Sequence, residues 1–251
     1  MKNLSVVIIT KNEVKNIERC LTSINDISKD IIILDSESSD DTELICKNFP
    51  VRFIKNRFID YSTQKNFGNE FAKNDYILSI DADEVLSKEL LQSINETCFN
   101  NNDNKAYSFN RLNHHCGKPI KYGGWYPDKK LRIWNKHFGQ WEGTIHEELV
   151  FKEPPQIAHL KGDLLHFTYN NKKEHIAQAK KFSKLNAESD YKKGKKTNLG
   201  LAYLSSLIRF IFIYFIKLGF LDGKIGFFIA KTTAHATFLR KKELISLKIN
   251  K

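Results

Sequence analysis

Residues 76–84 read Tyr-Ile-Leu-Ser-Ile-Asp-Ala-Asp-Glu, an apolar run that ends at two aspartates two positions apart. The run Tyr76–Ile80 has the length and composition of a buried β-strand. The end of that strand would hold Asp81 and Asp83 in place, where their carboxylate oxygens suit a hard divalent cation. Since Mg²⁺ is typically bound by one or two carboxylates plus substrate phosphate, the pair indicates a metal and diphosphate site. A solvated turn that closes the strand is the alternative.

The chain before this stretch predicts alternating strands and helices. Apolar runs over residues 4–9, 31–34 and 51–54 are candidate strands. Apolar residues recur at helical spacing over 14–24, and a second helix is predicted over about 62–73. Strands that alternate with helices form right-handed crossovers and a mostly parallel sheet, so we predict an α/β fold.

Polar loops follow three of the predicted strands, at residues 10–13, 35–42 and 81–84. In an open parallel sheet, ligands bind outside the carboxyl ends of the strands, and those ends share one edge. We therefore expect the three loops to converge on one site.

Several motifs resemble the inverting family-2 glycosyltransferases of the GT-A fold. The motifs that carry this resemblance are Ser5–Glu13, Ile33–Thr42, Gln64–Gly68 and Ile80–Glu84. Two later segments, Tyr126–Trp134 and Gly143–Glu147, resemble the bacterial branch that builds lipopolysaccharide cores, typified by the core β-1,4-glucosyltransferases. The close resemblance covers roughly residues 1–170, and a looser one lies at 220–226.

The resemblance implies a nucleotide-binding role for four side chains. Thr10 and Glu13 would line the nucleotide pocket, and Asp35 would hydrogen-bond the base, which is usually uracil in this family. Lys65 would lie near the nucleotide or its phosphates. A surface cation on a helix is the alternative for Lys65.

The resemblance also implies a divalent metal site. Asp81 would face the ribose or the metal, and Asp83 would bind the metal directly and bridge to the diphosphate. His166 resembles the late histidine that some GT-A enzymes use as a third ligand. Imidazole suits Mn²⁺ better than Mg²⁺, so the cofactor is expected to be Mg²⁺ or Mn²⁺, with a bias towards manganese if His166 binds.

The acceptor hydroxyl must lose a proton as it attacks, which requires a carboxylate across the sugar from the metal. The block 141–148 lies where the family places its catalytic acid, and we select Glu147 as the base. The family often has Asp at this position, so Glu142 and Glu148 remain alternatives. His146 would orient the base or contact phosphate, or else serve a structural role.

Four aromatic residues, Trp125, Tyr126, Trp134 and Trp141, lie in a short span around Arg132. Aromatic faces beside polar groups suit sugar rings, and Arg132 could pair with phosphate or an acidic sugar. Core packing is the competing explanation for each tryptophan.

Charge divides the chain into two parts. Residues 1–171 carry 22 Lys and Arg against 24 Asp and Glu, whereas residues 172–251 carry 18 against 5, so the net charge of +11 is entirely C-terminal. We predict a GT-A catalytic domain over 1–171, with a nucleotide-sugar half over about 1–98 and an acceptor half over about 99–171. Residues 172–251 would form a helical, basic and apolar extension.

The extension contains the most apolar segment, Leu199–Ile216, which Arg209 interrupts. Eighteen residues barely span a bilayer, and a mid-segment arginine costs roughly 2.5–3.5 kcal/mol on insertion scales. A helix that lies in the interface fits better, because lysines at 180, 181, 192, 193, 195 and 196 would attract anionic lipid. A buried helix or an oligomer contact is the alternative.

The cysteines are scattered without paired spacing, and no secretory signal is predicted. We therefore expect a cytoplasmic protein, bound peripherally to the inner face of the plasma membrane. The predicted activity is metal-dependent, inverting transfer from a UDP-sugar, with UDP-glucose as first candidate, to a lipopolysaccharide-core or other lipid-linked acceptor.

Alternatives from other classes are a nucleotidyltransferase of similar fold and a basic nucleic-acid-binding protein. The first usually starts with a glycine-rich phosphate loop, which is not found here. The second is suggested by the basic C-terminal part, but apolar aromatic residues dominate that part, so we expect no nucleic-acid partner. A dinucleotide-dependent oxidoreductase is disfavoured because no G-x-G-x-x-G follows the first strand.

Overall fold

The computed structural model describes residues 3–100, 103–143 and 147–249, so the prediction for His146 lies outside the described residues. The strands are β1 (Leu4–Thr10), β2 (Ile31–Asp35), β3 (Arg52–Lys55), β4 (Tyr76–Asp81), β5 (Glu84–Leu86), β6 (Lys105–His115), β7 (Lys118–Pro119), β8 (Asp128–Asn135), β9 (Gly139–Glu142), β10 (Glu148–Phe151) and β11 (Gln156–Tyr169). The helices are α1 (Ile17–Ile24), α2 (Thr42–Cys46), α3 (Tyr61–Glu70), α4 (Lys88–Glu96), α5 (Lys172–Lys192), α6 (Leu199–Ile211) and α7 (Gly223–Ile249). A π-helical turn (Phe212–Ile216) and a 3₁₀ turn (Gly219–Asp222) lie between α6 and α7.

The chain divides into two compact units. The first unit comprises residues 1–111 and 128–166, and the second comprises residues 112–127 and 167–251. The sequence prediction had placed all of residues 1–171 in the catalytic domain. Residues 112–127 are joined to the C-terminal part by contacts such as the hydrogen bond from the backbone N–H of Gly123 to the carbonyl of Lys217 at 2.8 Å, and the predicted catalytic domain over 1–171 stays a prediction.

Nine of the described strands form one sheet, in the order β3-β2-β1-β4-β8-β6-β11-β5, with β7 beside β6. The four strands β3, β2, β1 and β4 are parallel, as predicted, and helices connect them. Beyond β4 the sheet continues with antiparallel pairings, first to β8 and then to β6. The predicted α/β fold class is confirmed, together with the helical C-terminal part.

The core explains why the parallel strands are continuous apolar runs. Strands β1, β2 and β4 lie in the middle of the sheet, so side chains on both of their faces are buried. Helix α1 buries Ile17, Cys20, Leu21 and Ile24, which is the helical spacing seen in the sequence. The helix begins three residues later than the predicted start, because residues 14–16 form a turn.

Helix α3 approaches β1 unusually closely at Gly68. A Cβ built on Gly68 would lie 2.7 Å from Cγ1 of Val7, so any larger residue would displace the helix from the strand. The side chain of Asp60 caps the start of α3 by accepting a hydrogen bond from the backbone N–H of Thr63 at 2.8 Å. Cap and glycine together fix the helix that carries Lys65.

In the second unit, side chains join α7 to its neighbouring helices. Ser183 on α5 donates to the carbonyl of Ala236 at 3.0 Å, and Ser206 on α6 donates to the carbonyl of Ala234 at 2.8 Å. Arg240 on α7 pairs with Asp190 on α5 at 2.6 Å. Among the described residues, one segment, Leu199–Ile216, is long and apolar enough to cross a membrane by length and composition.

The second unit also contains a buried pair of histidines, His115 of β6 and His175 of α5. Nε2 of His115 lies 3.1 Å from Nδ1 of His175, whose ring stacks on Tyr169 at 4.4 Å. Burial lowers the pKa of both imidazoles, to about 4 for His175, and nearby Lys172 lowers that of His115 further. Both rings are therefore neutral in the folded protein at neutral pH.

We expect this pair to make stability fall in mild acid. Below a pKa of about 6.5 the unfolded chain takes up protons that the folded protein excludes until about pH 4, so the free energy of unfolding should drop by about 2 kcal/mol between pH 7.5 and 5 for His175 alone. Urea unfolding at both pH values measures this. His175→Phe, which keeps an aromatic ring against Tyr169, should flatten the dependence. An undiminished pH dependence in His175→Phe would contradict the assignment.

Candidate functional site

The register of the parallel strands places three predicted site residues on one edge of the sheet. Thr10 of β1 lies opposite Asp35 of β2, and Ile9 lies opposite Asp81 of β4. Because the strands are parallel, their carboxyl ends and the loops that follow them meet at this edge. The predicted convergence of the loops is therefore observed.

Hydrogen bonds lock the first two loops together. The backbone N–H of Asn12 donates to Ser38 Oγ at 2.8 Å, and the N–H of Ser39 donates to the Asn12 side chain at 2.8 Å. Asn12 has a φ of +55°, a conformation that asparagine tolerates better than most residues. The buried carboxylate of Asp35 accepts from the N–H and hydroxyl of Ser38, at 2.8 and 2.5 Å, so in this structure Asp35 shapes the loop. Its predicted contact with the base stays a prediction.

A cavity of about 450 Å³ opens at this edge, which we call the first cavity. Its walls include the predicted residues Thr10, Glu13, Asp81, Asp83, Glu147 and His166. Lys11, Ser36 and the aromatic rings of Phe58 and Tyr61 complete much of the lining and were not predicted. The volume lies in the range typical of small-molecule sites.

Two lining residues of the first cavity have unusual surroundings. The hydroxyl of Thr10 is buried and has no hydrogen-bond partner among the described residues. Burial raises the pKa of Glu13, and the nearby carboxylate of Asp83 adds to this, against a hydrogen bond from Asn16. Polar groups of this kind gain from a ligand that brings hydrogen-bond partners or a positive charge.

Asp83 and His166 meet at the wall of the first cavity, although 83 positions separate them in the chain. Strand β5 follows Asp83 and pairs antiparallel with β11, so that His166 lies opposite Glu84. This pairing brings Nε2 of His166 to 3.2 Å from a carboxylate oxygen of Asp83. Sequence spacing carries no signal for this contact, which depends on a long-range strand pairing.

Lys65 is buried and links two carboxylates. Its side chain is 1 % exposed, and Nζ lies 3.0 Å from Glu147 and 3.4 Å from Asp81. The ammonium also lies 4.6 Å from the ring centre of Trp141, a cation–π contact. Lys65 is therefore no surface cation, and the structure places it between the predicted base and the Asp81 carboxylate.

Arg132 forms the second half of this charge network. Its Nη2 lies 3.1 Å from Glu84 and 3.4 Å from Asp81. Glu84 is fully buried, begins β5 and also accepts from the backbone N–H of Asp81 at 3.0 Å, so it fixes the end of β4 from the core side. Burial alone raises the pKa of Asp81, but the charges of Lys65 and Arg132 outweigh it and hold the pKa well below its usual range.

Sequence reasoning missed Gln64 and Asn66, which flank Lys65 on α3. The Asn66 amide pairs with the backbone of Trp141 twice, accepting at 2.9 Å and donating at 2.8 Å, and so attaches β9 to α3. Gln64 donates to Ser36 Oγ at 3.1 Å and thereby joins α3 to the second loop. The available signal in the sequence was that polar residues occupy several successive positions of α3, where a helix packed on a sheet usually has apolar residues.

A second cavity of about 430 Å³ shares Asp81 and Glu147 with the first. Its other walls include Arg111, Arg132 and Trp141. Arg111 is held by Asp128 at 2.8 Å. The carboxylate of Glu147 therefore faces both cavities, whereas the alternative bases differ: Glu142 is exposed beside Gln140, and Glu148 lines the second cavity alone.

The predicted aromatic cluster does not form one sugar platform. Trp134 is fully buried, donates to the carbonyl of Gly139 at 2.9 Å and packs edge-to-face on Trp141 at 5.6 Å. Core packing therefore explains Trp134. Trp125 belongs to the second unit, where it lies 6.1 Å from His175. Only Trp141 of the three tryptophans lines a cavity described here, because β9 brings it beside Lys65.

The donor set at the first cavity suits a divalent cation only in part. Among the described residues, no three His, Cys, Asp or Glu side chains form a cluster that could enclose a metal. Asp83 and His166 converge to 3.2 Å, which fits two ligands of an ion whose remaining positions are filled by phosphate and water. Asp81 is engaged by Lys65 and Arg132, so its predicted role as a ligand stays a prediction.

Comparisons with known proteins point to one family. Residues 5–144 match the model of glycosyl transferase family 2. An uncharacterized glycosyltransferase of Rickettsia bellii is 32 % identical over 99 % of this chain and 88 % of its own length. A lipopolysaccharide core biosynthesis glycosyltransferase, LpsC of Rhizobium meliloti, is 28 % identical over 94 % of this chain and 89 % of its own length. A crystal structure of S. aureus TarS 1–349 in complex with UDP-GlcNAc has 15 % identity and a TM-score of 0.46, and the match covers 100 % of this chain and 93 % of that one.

Removal of Arg132 should destabilise the first unit strongly. Arg132→Met would remove the nearest cation from the buried Glu84 and leave Arg111 at 3.6 Å, so we expect the free energy of unfolding to fall by roughly 3–5 kcal/mol. Chemical denaturation measures this. Lys105→Met removes a partly exposed ion pair with Asp103 and should cost less than about 1 kcal/mol. Adding Glu84→Gln to Arg132→Met should restore part of the loss; no restoration would contradict an uncompensated charge as the cause.

Proposed function

Because this chain belongs to glycosyl transferase family 2 and is a glycosyltransferase, we propose that it moves a sugar from a UDP-sugar to a lipopolysaccharide-core or other lipid-linked glycan, with inversion at the transferred carbon. UDP-glucose is the first candidate donor. The observation that carries the proposal is the position of Glu147, which faces two cavities that meet at this carboxylate and at Asp81.

The first cavity is the donor site in this proposal. Thr10 and Glu13 line it beside the loop that Asp35 shapes, and the rings of Phe58 and Tyr61 offer apolar faces for a nucleobase. The diphosphate would extend towards Asp83 and His166. Lys11, whose ammonium donates to the carbonyl of Ser36 at 2.7 Å, supplies a cation at the same wall.

Asp83 and His166 would hold the divalent cation, Mg²⁺ or Mn²⁺. When bound, such an ion neutralises charge on the departing diphosphate. The imidazole of His166 favours Mn²⁺, because nitrogen ligands suit manganese better than magnesium. Asp81 contributes charge at the same edge, where Lys65 and Arg132 keep its carboxylate ionised.

Glu147 is the proposed base. An acceptor in the second cavity would present its hydroxyl to this carboxylate from the side opposite the leaving diphosphate, which is the geometry that inversion requires. Lys65 holds Glu147 at 3.0 Å and so fixes the direction from which the proton is removed. Orientation of this kind can contribute on the order of 7–11 kcal/mol to catalysis.

The acceptor class is supported by similarity and by the second unit. LpsC, which is similar along 94 % of this chain, is named for lipopolysaccharide core biosynthesis. Only 11 % of the residues of the segment Leu199–Ile216 are buried, and α6 exposes Leu201, Leu204, Leu207 and Ile208. Apolar surface on this scale is costly in water and typical of a membrane contact. We propose that it lies in the cytoplasmic face of the inner membrane, where a lipid-linked acceptor is found.

Substitutions at Asp83 and Glu147 should separate donor binding from transfer. Asp83→Asn should abolish Mn²⁺-dependent UDP binding and transfer together. Glu147→Gln should retain UDP affinity and reduce kcat roughly 10²–10⁴-fold, the usual contribution of a general base. Calorimetry with UDP and Mn²⁺, together with release of UDP from UDP-glucose in the presence of a lipopolysaccharide-core acceptor, measures the two properties.

Glu142→Gln is the matched control, since this exposed carboxylate lies on the neighbouring strand β9. It should bind UDP and transfer sugar like the wild type. An active Glu147→Gln with an inactive Glu142→Gln or Glu148→Gln would move the base to the other residue.

Charged substitutions on α6 should release the protein from lipid. Leu207 and Ile211 are 57 % and 43 % exposed, and burying such side chains contributes about 1.5–3 kcal/mol each. Leu207→Glu with Ile211→Glu should therefore weaken binding to phosphatidylglycerol-containing vesicles at least about tenfold in a sedimentation assay. Leu44→Glu, at a 63 % exposed leucine of the first unit, is the control and should bind normally. Undiminished binding of the double variant would contradict the membrane contact.

A further inference from the structure

A groove of about 470 Å³ runs between α5 and α7 in the second unit. Its apolar walls are Ile176 and Ala179 of α5 and Phe228 and Leu239 of α7. The groove lies outside the family-matched segment 5–144, and none of its residues lines the first or second cavity. The proposed transfer reaction therefore gives it no role.

The groove exists because side chains fix the two helices against each other. Ser183 of α5 donates to the carbonyl of Ala236 of α7 at 3.0 Å, and further along the pair Arg240 bonds Asp190 at 2.6 Å. The α5 residues that line the groove precede Ser183 in the chain, and the small side chain of Ala179 leaves space there. The walls belong to two connected helices, so the groove is formed before any ligand arrives.

Charge at the groove is of one sign. Lys180 of α5 and Lys231 of α7 both line it, and both side chains lie on the exposed surface of their helices. Lys172 lies close by, with its ammonium 5.1 Å from the ring centre of Phe228. His235 is the remaining titratable residue of the lining, and no carboxylate is found among the described residues that form it. An apolar floor with cations at its margin is complementary to an amphiphile that carries a negative charge.

We propose that the α5–α7 groove binds one acyl chain of an anionic lipid, with the lipid phosphate against Lys180 and Lys231. Apolar walls accept the chain, and ammonium groups bind phosphate as point charges. Neutral amphiphiles would leave the lysines without a partner, and free phosphate would leave the walls exposed. This proposal depends on the proposed membrane attachment in one respect only, which is that the membrane would supply the lipid.

The position of Phe228 connects the groove with the exposed apolar surface. Phe228 lines the groove, and its chain neighbour Phe227 is 46 % exposed and lies 5.8 Å from Phe210 of α6, ring centre to ring centre. A lipid in the groove would therefore lie beside the surface that α6 presents to the membrane. Retention of one lipid there would hold the protein at anionic membranes by a specific contact in addition to general attraction.

The test uses monomeric lipid, so that it does not depend on vesicles. Fluorescently labelled 1-oleoyl lysophosphatidic acid, kept below its critical micelle concentration, is titrated with the full chain and its anisotropy is recorded. Unlabelled monooleoylglycerol and glycerol 3-phosphate serve as competitors that carry only the chain or only the phosphate. We expect saturable binding at one lipid per protein, with displacement by unlabelled lysophosphatidic acid and little displacement by either partial ligand.

Two variants locate the site. Ala179→Trp fills the groove and should abolish binding, while Lys180→Gln with Lys231→Gln should weaken it about tenfold or more. The matched control is Lys184→Gln with Lys192→Gln, which removes two charges of α5 that do not line the groove. This control should bind like the wild type. Retention of far-ultraviolet circular dichroism and of the midpoint of urea unfolding identifies folded variants.

Equal weakening by both lysine pairs would show a diffuse electrostatic attraction and overturn the groove site. Full displacement by glycerol 3-phosphate would assign the site to free phosphate, and no binding of monomeric lipid at all would also overturn it. A failure of Glu147→Gln to lose transfer would leave these results untouched, since the groove variants are measured by binding alone. The proposed catalytic function and the groove therefore fail separately.

Discussion

The site depends on one electrostatic constraint, which is that two buried cations must be neutralised at the carboxyl edge of the sheet. Lys65 and Arg132 are almost completely buried, and a buried charge is tolerated only when it is paired. Asp81 pairs with both, Glu84 satisfies Arg132 from the core, and Glu147 satisfies Lys65. The proposed base is therefore held in place by the same charge that makes burial of the lysine possible.

This constraint explains why α3 is built as it is. Gly68 lets the helix lie against β1, at a distance where Lys65 reaches both carboxylates. Asn66 then fixes the backbone of Trp141, which in turn lies beside the Lys65 ammonium. Three positions of one short motif thus have distinct physical tasks. The resemblance implies that Lys65 contacts the nucleotide, whereas in this structure Lys65 holds the carboxylate of Glu147.

The sequence was most informative where structure depends on neighbouring residues. Apolar runs and polar loops predicted the parallel half of the sheet and the shared edge of Thr10 and Asp81, because parallel connections are local and directional. The antiparallel half was missed, since pairings such as β5 with β11 join segments that are distant in the chain. His166 was found by resemblance alone for the same reason. For Trp134 the sequence left a sugar contact and core packing open, because exposure cannot be deduced from a single aromatic residue, and its burial selects core packing.

The two units differ in how many large apolar side chains stay exposed to solvent after folding. The first unit buries its large apolar side chains in a sheet core, whereas α6 leaves Leu207 and Ile208 each 57 % exposed after the unit has folded. Folding has therefore not removed the cost of hydrating this surface, and only a further contact can do so. The 18 Lys and Arg of residues 172–251, against 5 Asp and Glu, favour an anionic lipid surface over a neutral one. The membrane attachment that we propose would account for the exposed apolar side chains and the positive charge of this unit together, whereas the proposed transfer reaction requires neither.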